Sequence, residues 1–318
     1  MFPKILTVGS AYFSIDLEVP SIPQSGSSVK VKNYIRYPDG SGINTAVALQ
    51  KLDADCVPVI SIGSDSGGKS IHNFLSTILN SMMTVHVERG VSVGTIFNLT
   101  DIDGSKRKLV FDGANDYLST SLVEDAFSSC PDGVIINADM PQEIVYFAIL
   151  AGNTHGVPIL VNLRGKHAAR LPVDQFGNGT ILVMDQQNAQ IYCGMKVSSV
   201  EDCLKACISL AGKVKSKYFV IRLEGKGAFA YNGKYYYFVP NYDFIPADER
   251  GAEEFYNAAL LLRYMMDDDI RIACEFAAVA ETVAMMHKGG AANLPDYADI
   301  RKFIIDNELD AKLLIGEE

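Results

Sequence analysis

One segment near the C-terminus combines glycine, alanine and acidic residues at the start of a predicted helix. It spans Asp248–Glu254, reads Asp-Glu-Arg-Gly-Ala-Glu-Glu and precedes an apolar helical pattern. A helix that begins near Gly251 directs unpaired backbone N–H groups out of its first turn, and such a terminus binds anions such as phosphate. The same acids also complement the helix dipole by themselves. The segment therefore predicts either a phosphate site or a helix start that needs no phosphate.

A second candidate segment lies near the N-terminus, in the sequence Gly40-Ser41-Gly42-Ile43-Asn44. Glycines let a ligand approach the backbone, and the side chain of Asn44 can both donate hydrogen bonds to sugar hydroxyls and accept them. The alternative is a tight turn in which Asn44 begins a helix. The residues by themselves are compatible with both interpretations.

Short apolar strands alternate with helical patterns along most of the chain. The strand runs are continuously apolar, which is typical of a parallel sheet covered on both faces. We therefore predict an α/β fold, a doubly wound and mostly parallel sheet flanked by helices, in a single domain over 1–318. The predicted strands are Ile5–Gly9, Val57–Gly63, Gly133–Asn137, Val157–Asn162, Thr180–Met184 and Tyr218–Leu223. The predicted helices are Asn44–Leu52, Ser70–Leu79, Gln142–Gly152, Val200–Lys215, Gly251–Met266 and Ile270–Lys288.

Two stretches break this alternation, at approximately 14–37 and 85–111. Polar and apolar residues alternate in both, with turn residues between the runs, and this pattern predicts hairpins. We expect them to form a small β sheet that projects from the main domain as a lid. Lys226–Val239 is predicted as a further hairpin, with Asn232-Gly233 as its two-residue turn.

The composition limits the partners that the chain can bind. Its 318 residues include 38 Asp and Glu against 28 Lys and Arg, a formal charge of −10. This excess of acid argues against a nucleic acid or an anionic membrane surface as the main partner, because like charges repel. A small anionic ligand remains compatible with it, since a few amides or cations can oppose the overall charge locally.

The sequence also predicts a cytoplasmic protein. No apolar run approaches the roughly 18 residues of a membrane span, and the run after Lys4 is too short for a signal peptide. The six cysteines include no C-x-x-C pair, which is typical of reduced core thiols. The five histidines show no metal-ligand spacing, and we expect them on the surface or in the lid: His72, His86, His155, His167 and His287.

Several segments, taken in chain order, resemble the ribokinase-like sugar kinases of the PfkB family. The resemblance covers nearly the whole chain and keeps the family's order, so it is more specific than any single motif. The segments are Val8-Gly9 with Pro23–Gly26, Asp39–Asn44 beside the family's G-G-x-G-x-N, Gly63–Asp65 with Gly68, Gly113–Asn115, Asp248–Glu254 beside D-T-T-G-A-G-D, and Lys288–Ala291 with Leu294-Pro295.

The resemblance implies ATP-dependent phosphorylation of a hydroxyl on a sugar or nucleoside-like substrate, with Mg²⁺ and with ATP as co-substrate. In such kinases a carboxylate deprotonates the acceptor hydroxyl, and amides at a helix start hold the developing charge. By resemblance Glu254 is the base, and Gly251 and Ala252 provide the amides. Glu253 stands where the family has a glycine and brings negative charge to this place.

The resemblance also implies a substrate site between lid and sheet. It assigns substrate contacts to the glycine loop, through Gly40, Gly42 and Asn44. The family's substrate-binding Asp, five residues after the first strand's glycine, is Ser14 here. Asp16 lies two residues later, and it either substitutes for that acid or is a solvated lid residue.

Two further segments correspond to the family's nucleotide region. Asp185–Asn188 is similar to N-x-x-E, a segment associated with magnesium and phosphate, which makes Asp185 the candidate metal ligand and Asn188 a weaker one. Arg222–Ala228 resembles T-x-G-x-x-G-A, with Arg222 and Glu224 at altered positions and the glycines Gly225 and Gly227 retained.

The arginines Arg222 and Arg250 admit two interpretations. Each can clamp a phosphate, because a guanidinium binds phosphate oxygens in pairs. Each can also form an ion pair with Glu224, Glu253 or Glu254 and close the site without a ligand.

Two functions from different classes therefore remain. The first is an active carbohydrate kinase, for which the resemblance to the family implies a homodimer that pairs through its lid. The second is a non-catalytic ligand-binding or regulatory protein that keeps the fold, because several polar residues of one presumed site are altered together. An α/β dehydrogenase is disfavoured, since no G-x-G-x-x-G follows the first strand.

Overall fold

The computed structural model describes residues 3–163, 176–177 and 179–314, so His167 lies outside the described residues. The strands are β1 Lys4–Val8, β2 Tyr12–Val19, β3 Asn33–Asp39, β4 Asp55–Gly63, β5 Val85–Glu88, β6 Gly94–Asp101, β7 Lys106–Phe111, β8 Gly133–Asn137, β9 Ile159–Asn162, β10 Thr180–Asp185, β11 Tyr218–Leu223, β12 Gly227–Tyr231 and β13 Tyr236–Pro240. The α-helices are α1 Ser41–Lys51, α2 Ser66–Ser76, α3 Thr120–Phe127, α4 Gln142–His155, α5 Gln186–Cys193, α6 Val200–Ala211, α7 Ala252–Asp267, α8 Ile270–Met286 and α9 Tyr297–Asp306.

The main sheet has the strand order β13-β12-β11-β10-β9-β8-β1-β4-β5 in the described part of the chain. Every pairing from β5 across to β11 is parallel, and β12 is antiparallel to both of its neighbours. The strand order reverses direction around β1, the arrangement of a doubly wound sheet. The predicted fold class is therefore confirmed.

Two apolar cores cover the two faces of this sheet. Ile5 of β1 packs with α1, α7 and α8 on one face, whereas Leu6 and Val8 pack with α3, α4 and α6 on the other. Because successive strand residues point to opposite faces, a strand buried on both sides must be apolar throughout. This explains the continuous apolar runs in the sequence.

A second sheet, called here the small sheet, has the order β3-β2-β6-β7. Its strands come from the two stretches that break the alternation, but the start of the second stretch does not belong to it. Val85–Glu88 instead pairs with β4 at the edge of the main sheet. An edge strand is exposed on one face and alternates in polarity, so its pattern looks the same as that of a hairpin strand.

The hairpin β12–β13 is present, but its loop is longer than predicted. Tyr231 pairs with Tyr236, so the loop contains four residues rather than the two-residue Asn232-Gly233 turn. Asn232 closes this loop, because its side chain accepts hydrogen bonds from the backbone N–H groups of Lys234 and Tyr235.

Among the described residues, no helix is long and apolar enough to cross a membrane.

Candidate active site

The carboxyl ends of parallel strands bring polar residues from distant parts of the chain to one edge of the main sheet. Gly9 follows β1, Asn137 ends β8, Asn162 ends β9 and Asp185 ends β10. Ligands of open α/β sheets bind in the crevice outside these ends. The small sheet and the start of α7 meet at this same crevice, because Arg250 contacts Asp16 of β2.

Backbone forms part of the floor of the crevice. A Cβ atom at Gly9 would lie 2.5 Å from the Gly42 nitrogen, and one at Gly42 would lie 2.6 Å from Ile60 Cγ2. Gly40 has φ of +110°, and a Cβ there would lie 2.6 Å from the Ser10 carbonyl oxygen. The glycines at 40 and 42 are thus required to pack α1 against β1.

Asp139, two residues after β8, accepts hydrogen bonds from two serines of the crevice. Ser10 Oγ donates to one carboxylate oxygen at 2.6 Å, and Ser41 Oγ donates to the other at 2.9 Å. Burial raises the pKa of the Asp139 carboxyl, against the opposing effect of these two hydrogen bonds. The sequence analysis missed this residue, although an acid just beyond a predicted strand end was a usable signal.

A second carboxylate, Asp39 at the end of β3, lies at the centre of another network. Its Oδ2 accepts from Ser14 Oγ at 2.7 Å, and its Oδ1 accepts from the Gly40 N–H at 2.8 Å and from Asn44 Nδ2 at 3.0 Å. Asn44 is buried, and its Oδ1 has no hydrogen-bond partner. The structure therefore places a buried acceptor beside a carboxylate.

Asp16 is part of a network on the small sheet. Its carboxylate accepts from the Tyr37 hydroxyl at 3.0 Å and from Asn98 Nδ2 at 2.8 Å. Arg250 approaches the same carboxylate at 3.6 Å and lies over the Tyr37 ring at 4.6 Å. Asp16 therefore links the small sheet to the segment that precedes α7.

Arg250 also binds Asp248 through both carboxylate oxygens. The contacts are Nε to Oδ1 at 2.9 Å and Nη2 to Oδ2 at 2.6 Å, and the Gly289 N–H donates to Oδ2. Burial opposes ionisation of Asp248, but the hydrogen bonds from Arg250 and Gly289 outweigh it and lower its pKa to about 2. Asp248 is a partner for Arg250 that the sequence analysis did not name.

Gly251 is the N-cap residue of helix α7; it has φ of +78° and supplies no side-chain cap. The half-buried Glu253 and Glu254 follow Ala252 in the first turn. Glu253 Oε1 accepts a hydrogen bond from Asn162 Nδ2 at 2.9 Å, which holds this carboxylate against the end of β9.

Arg222, at the end of β11, forms an ion pair with Glu281 of α8 and lies over the Tyr256 ring at 4.6 Å. Glu281 is buried, so the pair is largely removed from water. The sequence analysis named Glu224, Glu253 and Glu254 as partners and missed Glu281, which lies 59 positions away.

Asp185 caps helix α5. Its Oδ1 accepts from the Asn188 backbone N–H at 2.6 Å and from Asn188 Nδ2 at 3.1 Å. Within residues 3–163, 176–177 and 179–314, no three His, Cys, Asp or Glu residues form a group able to hold a metal ion. A single carboxylate such as Asp185 can nevertheless be enough for Mg²⁺, which keeps several waters and binds one or two carboxylates together with substrate phosphates.

The turn between β11 and β12 contains the remaining predicted nucleotide residues. Glu224 is exposed, and Gly225 and Gly227 have φ of +66° and +141°. A Cβ at Gly227 would lie 2.1 Å from the Val239 carbonyl oxygen, so glycine is required to pair β12 with β13. This packing gives the glycine a structural reason that is independent of any ligand.

The chain is similar to sugar kinases over nearly its whole length. Ribokinase of Bacillus subtilis (strain 168) is 26% identical over 312 residues, which cover 95% of this chain and 99% of the relative. Deoxyribokinase of Salmonella typhi is 22% identical over 309 residues, which cover 96% and 99%.

Structural comparison supports the same fold. The solved structure of Arabidopsis thaliana ribokinase complexed with ribose and ATP matches with a TM-score of 0.85 at 21% identity, over 96% of this chain and 99% of that one. The model of the pfkB family carbohydrate kinases matches residues 3–296. The predicted resemblance is confirmed, and the chain belongs to the pfkB family of carbohydrate kinases.

Proposed function

We propose that this carbohydrate kinase transfers the γ-phosphoryl group of ATP to a hydroxyl of a pentose or a nucleoside-like substrate bound at the crevice. The observation that carries the proposal is the buried Asn44 Oδ1, which lacks a hydrogen-bond partner beside the Asp39 carboxylate. A buried acceptor without a donor is costly, and a substrate hydroxyl supplies that donor. The acceptor-rich network of Asp139 with Ser10 and Ser41 adds further positions for hydroxyl groups.

The relatives support a small sugar as substrate. Two of them are named ribokinase and deoxyribokinase, and the structural neighbour is described with ribose and ATP. These names favour the enzyme over the non-catalytic alternative. They also place a pentose first among the substrates to be tested.

Glu254 is the proposed general base. A carboxylate in the first turn of α7 can accept the proton of the substrate hydroxyl as its oxygen attacks phosphorus. The N–H groups of Gly251 and Ala252 are proposed to stabilise the transferred phosphoryl group, because Gly251 leaves the helix start without a side-chain cap.

Asp185 is the proposed Mg²⁺ ligand, with Asn188 as its neighbour. A bound Mg²⁺ would neutralise charge on the β- and γ-phosphates of ATP. The turn of Glu224, Gly225 and Gly227 lies at the end of β11, on the same edge of the sheet, and is proposed to flank the nucleotide.

We also propose a cytoplasmic homodimer that forms through the small sheet, which acts as the lid of the crevice. The outer strands of this sheet expose apolar side chains, and edge strands present unpaired backbone groups to a second copy. The exposed apolar residues are Tyr34 and Ile35 of β3 with Leu109, Val110 and Phe111 of β7. Light scattering of wild type and Ile35→Lys tests this, with a monomeric wild type as the contradicting result.

The experiment that tests the function measures ADP release from MgATP with D-ribose, 2-deoxy-D-ribose and a nucleoside panel. We expect turnover with at least one of them, and we expect Glu254→Gln to lower kcat by roughly 10²- to 10⁴-fold. The matched control is Glu124→Gln, an exposed carboxylate on α3. Unchanged kcat in Glu254→Gln excludes this base, and a wild type without turnover contradicts the proposed activity.

A further inference from the structure

We propose that Asp39 is the carboxylate that binds the substrate hydroxyls and that Ser14 positions it. The inference rests on the proposed sugar-binding crevice and adds the residue that determines its specificity. The chemistry is that of a carboxylate and an amide oxygen that accept hydrogen bonds from neighbouring hydroxyls. A vicinal diol, as found in a pentose, presents two such donors.

The Asp39 carboxylate can accept one more hydrogen bond than it receives within the protein. A carboxylate offers about four acceptor positions. Ser14 Oγ, the Gly40 N–H and Asn44 Nδ2 occupy three of them, at 2.7, 2.8 and 3.0 Å. These three donors fix the orientation of the group and leave capacity for one more donor, so Asp39 is held in place before the substrate arrives.

The side-chain amide of Asn44 lies next to Asp39 and offers a second acceptor. The side-chain nitrogen Nδ2 of Asn44 carries both donor hydrogens of the amide and donates a hydrogen bond to Asp39. The amide oxygen Oδ1 of Asn44 is buried and has no hydrogen-bond partner. Since Oδ1 and Nδ2 belong to one amide group, the open acceptor lies next to Asp39. Two neighbouring acceptors in a fixed arrangement select two neighbouring hydroxyls, and an analogue that lacks one of them leaves a buried acceptor unpaired.

Asp39 lies on the face of the small sheet that is turned toward the crevice. In the β2–β3 ladder, Asp39 pairs with Tyr12 and Tyr37 pairs with Ser14. Because residues two apart share a face, Asp39, Tyr37, Ser14 and Asp16 are on one face of the sheet. Arg250 contacts Tyr37 and Asp16, so this face is turned toward the start of α7.

The negative charge of this part of the small sheet is at position 39 and not at position 14. By the resemblance to the PfkB pattern, position 14 is the place of an acid and position 39 that of a glycine, whereas this chain has Ser14 and Asp39 there. The hydroxyl donates to that acid at 2.7 Å, so the two positions are in direct contact. In this chain the carboxylate next to position 14 is therefore supplied by β3 and not by β2.

The test measures sugar binding by calorimetry without nucleotide, together with KM and kcat. The probes are D-ribose, 2-deoxy-D-ribose and 3-deoxy-D-ribose. We expect Asp39→Asn to weaken binding of the preferred sugar by about 10- to 100-fold, as for loss of a charge-assisted hydrogen bond, with KM for ATP unchanged. The matched control is Asp103→Asn, an exposed acid in the β6–β7 turn.

Two further measurements separate recognition from folding. The double variant Ser14→Asp/Asp39→Gly returns the carboxylate to β2, and we expect it to bind the sugar more tightly than Asp39→Gly alone. We also expect wild type to discriminate against at least one deoxy analogue and Asp39→Asn to lose that discrimination. Thermal unfolding without sugar checks that each variant is folded.

Sugar affinity retained in Asp39→Asn overturns the inference, and so does discrimination between the analogues that is equal in both proteins. The binding readout is independent of catalysis. A wild type that binds sugar but releases no ADP contradicts the proposed function, and Asp39 is then judged on binding alone. A wild type that binds none of the sugars overturns the inference.

Discussion

The two ends of the crevice differ in how their charged groups are satisfied. At the proposed sugar end, the carboxylates Asp39 and Asp139 accept hydrogen bonds from hydroxyl and amide donors, and Asn44 keeps an open acceptor. At the proposed phosphate end, the two arginines are already ion-paired, Arg222 with Glu281 and Arg250 with Asp248. Neutral hydroxyls can therefore enter the first end without disturbing any ion pair. An anion at the second end must compete with internal carboxylates or use backbone amides.

The largest expected effect is a loss of stability at the proposed phosphate end. Arg222→Met leaves the buried Glu281 without its cation, and removal of one partner from a buried pair costs about 3 kcal/mol of unfolding free energy. We expect this loss in urea unfolding, together with recovery of most of it in the double variant Arg222→Met/Glu281→Leu. The control is Arg271→Met, whose ion pair with Glu275 lies at the surface. Equal losses in both single variants would contradict a buried structural pair.

A smaller expected effect, on MgATP affinity, tests the difference between the two ends. Glu253→Gln keeps an acceptor for Asn162 but removes a negative charge from the first turn of α7. We expect MgATP to bind roughly tenfold more tightly, because the substitution removes the repulsion between the Glu253 carboxylate and the phosphates, with sugar affinity unchanged. Glu201→Gln, in the first turn of α6, is the matched control. MgATP affinity equal to that of wild type would show that the Glu253 carboxylate does not face the phosphates.

The smallest effect concerns acid stability at the same end. The pKa of Asp248 is about 2 in the folded protein, against about 3.9 for an unfolded chain. A lowered folded pKa stabilises the protein above the unfolded value, so this contribution is full at pH 6 and is lost as the pH falls from about 4 to about 2. We expect the difference in unfolding free energy between wild type and Asp248→Asn to shrink from pH 6 to pH 3. A difference that stays constant would contradict it.

The fold was predictable because its physical cause is local. Strands buried on both faces must be apolar at every residue, and this pattern is visible in runs such as Gly133–Asn137. The edge strand β5 was assigned to the wrong sheet for the same reason. Its exposed face produces an alternating pattern, and alternation does not reveal which strand is the neighbour.

The candidate site was predictable only where one short segment carries it. The segment around the helix start at Gly251 and the segment Gly40–Asn44 could be proposed from the sequence, because the residues of each are consecutive. Asp139 was missed, since its role depends on serines that lie 129 and 98 positions away. The ion pair of Arg222 was assigned to acids of the predicted motifs, Glu224, Glu253 and Glu254, whereas packing of α8 against the sheet supplies Glu281.

The contact between Gly9 and Gly42 has a consequence for engineering. A floor made of backbone cannot be reshaped by substitution, since any side chain there would push α1 away from β1 before it altered the volume open to a ligand. Libraries that aim to redirect this kinase to new sugars should therefore keep these glycines fixed. Diversity belongs at the buried side chains that we propose face the sugar, Ser41 and Asn44, because neither is a glycine that the packing of α1 against β1 requires.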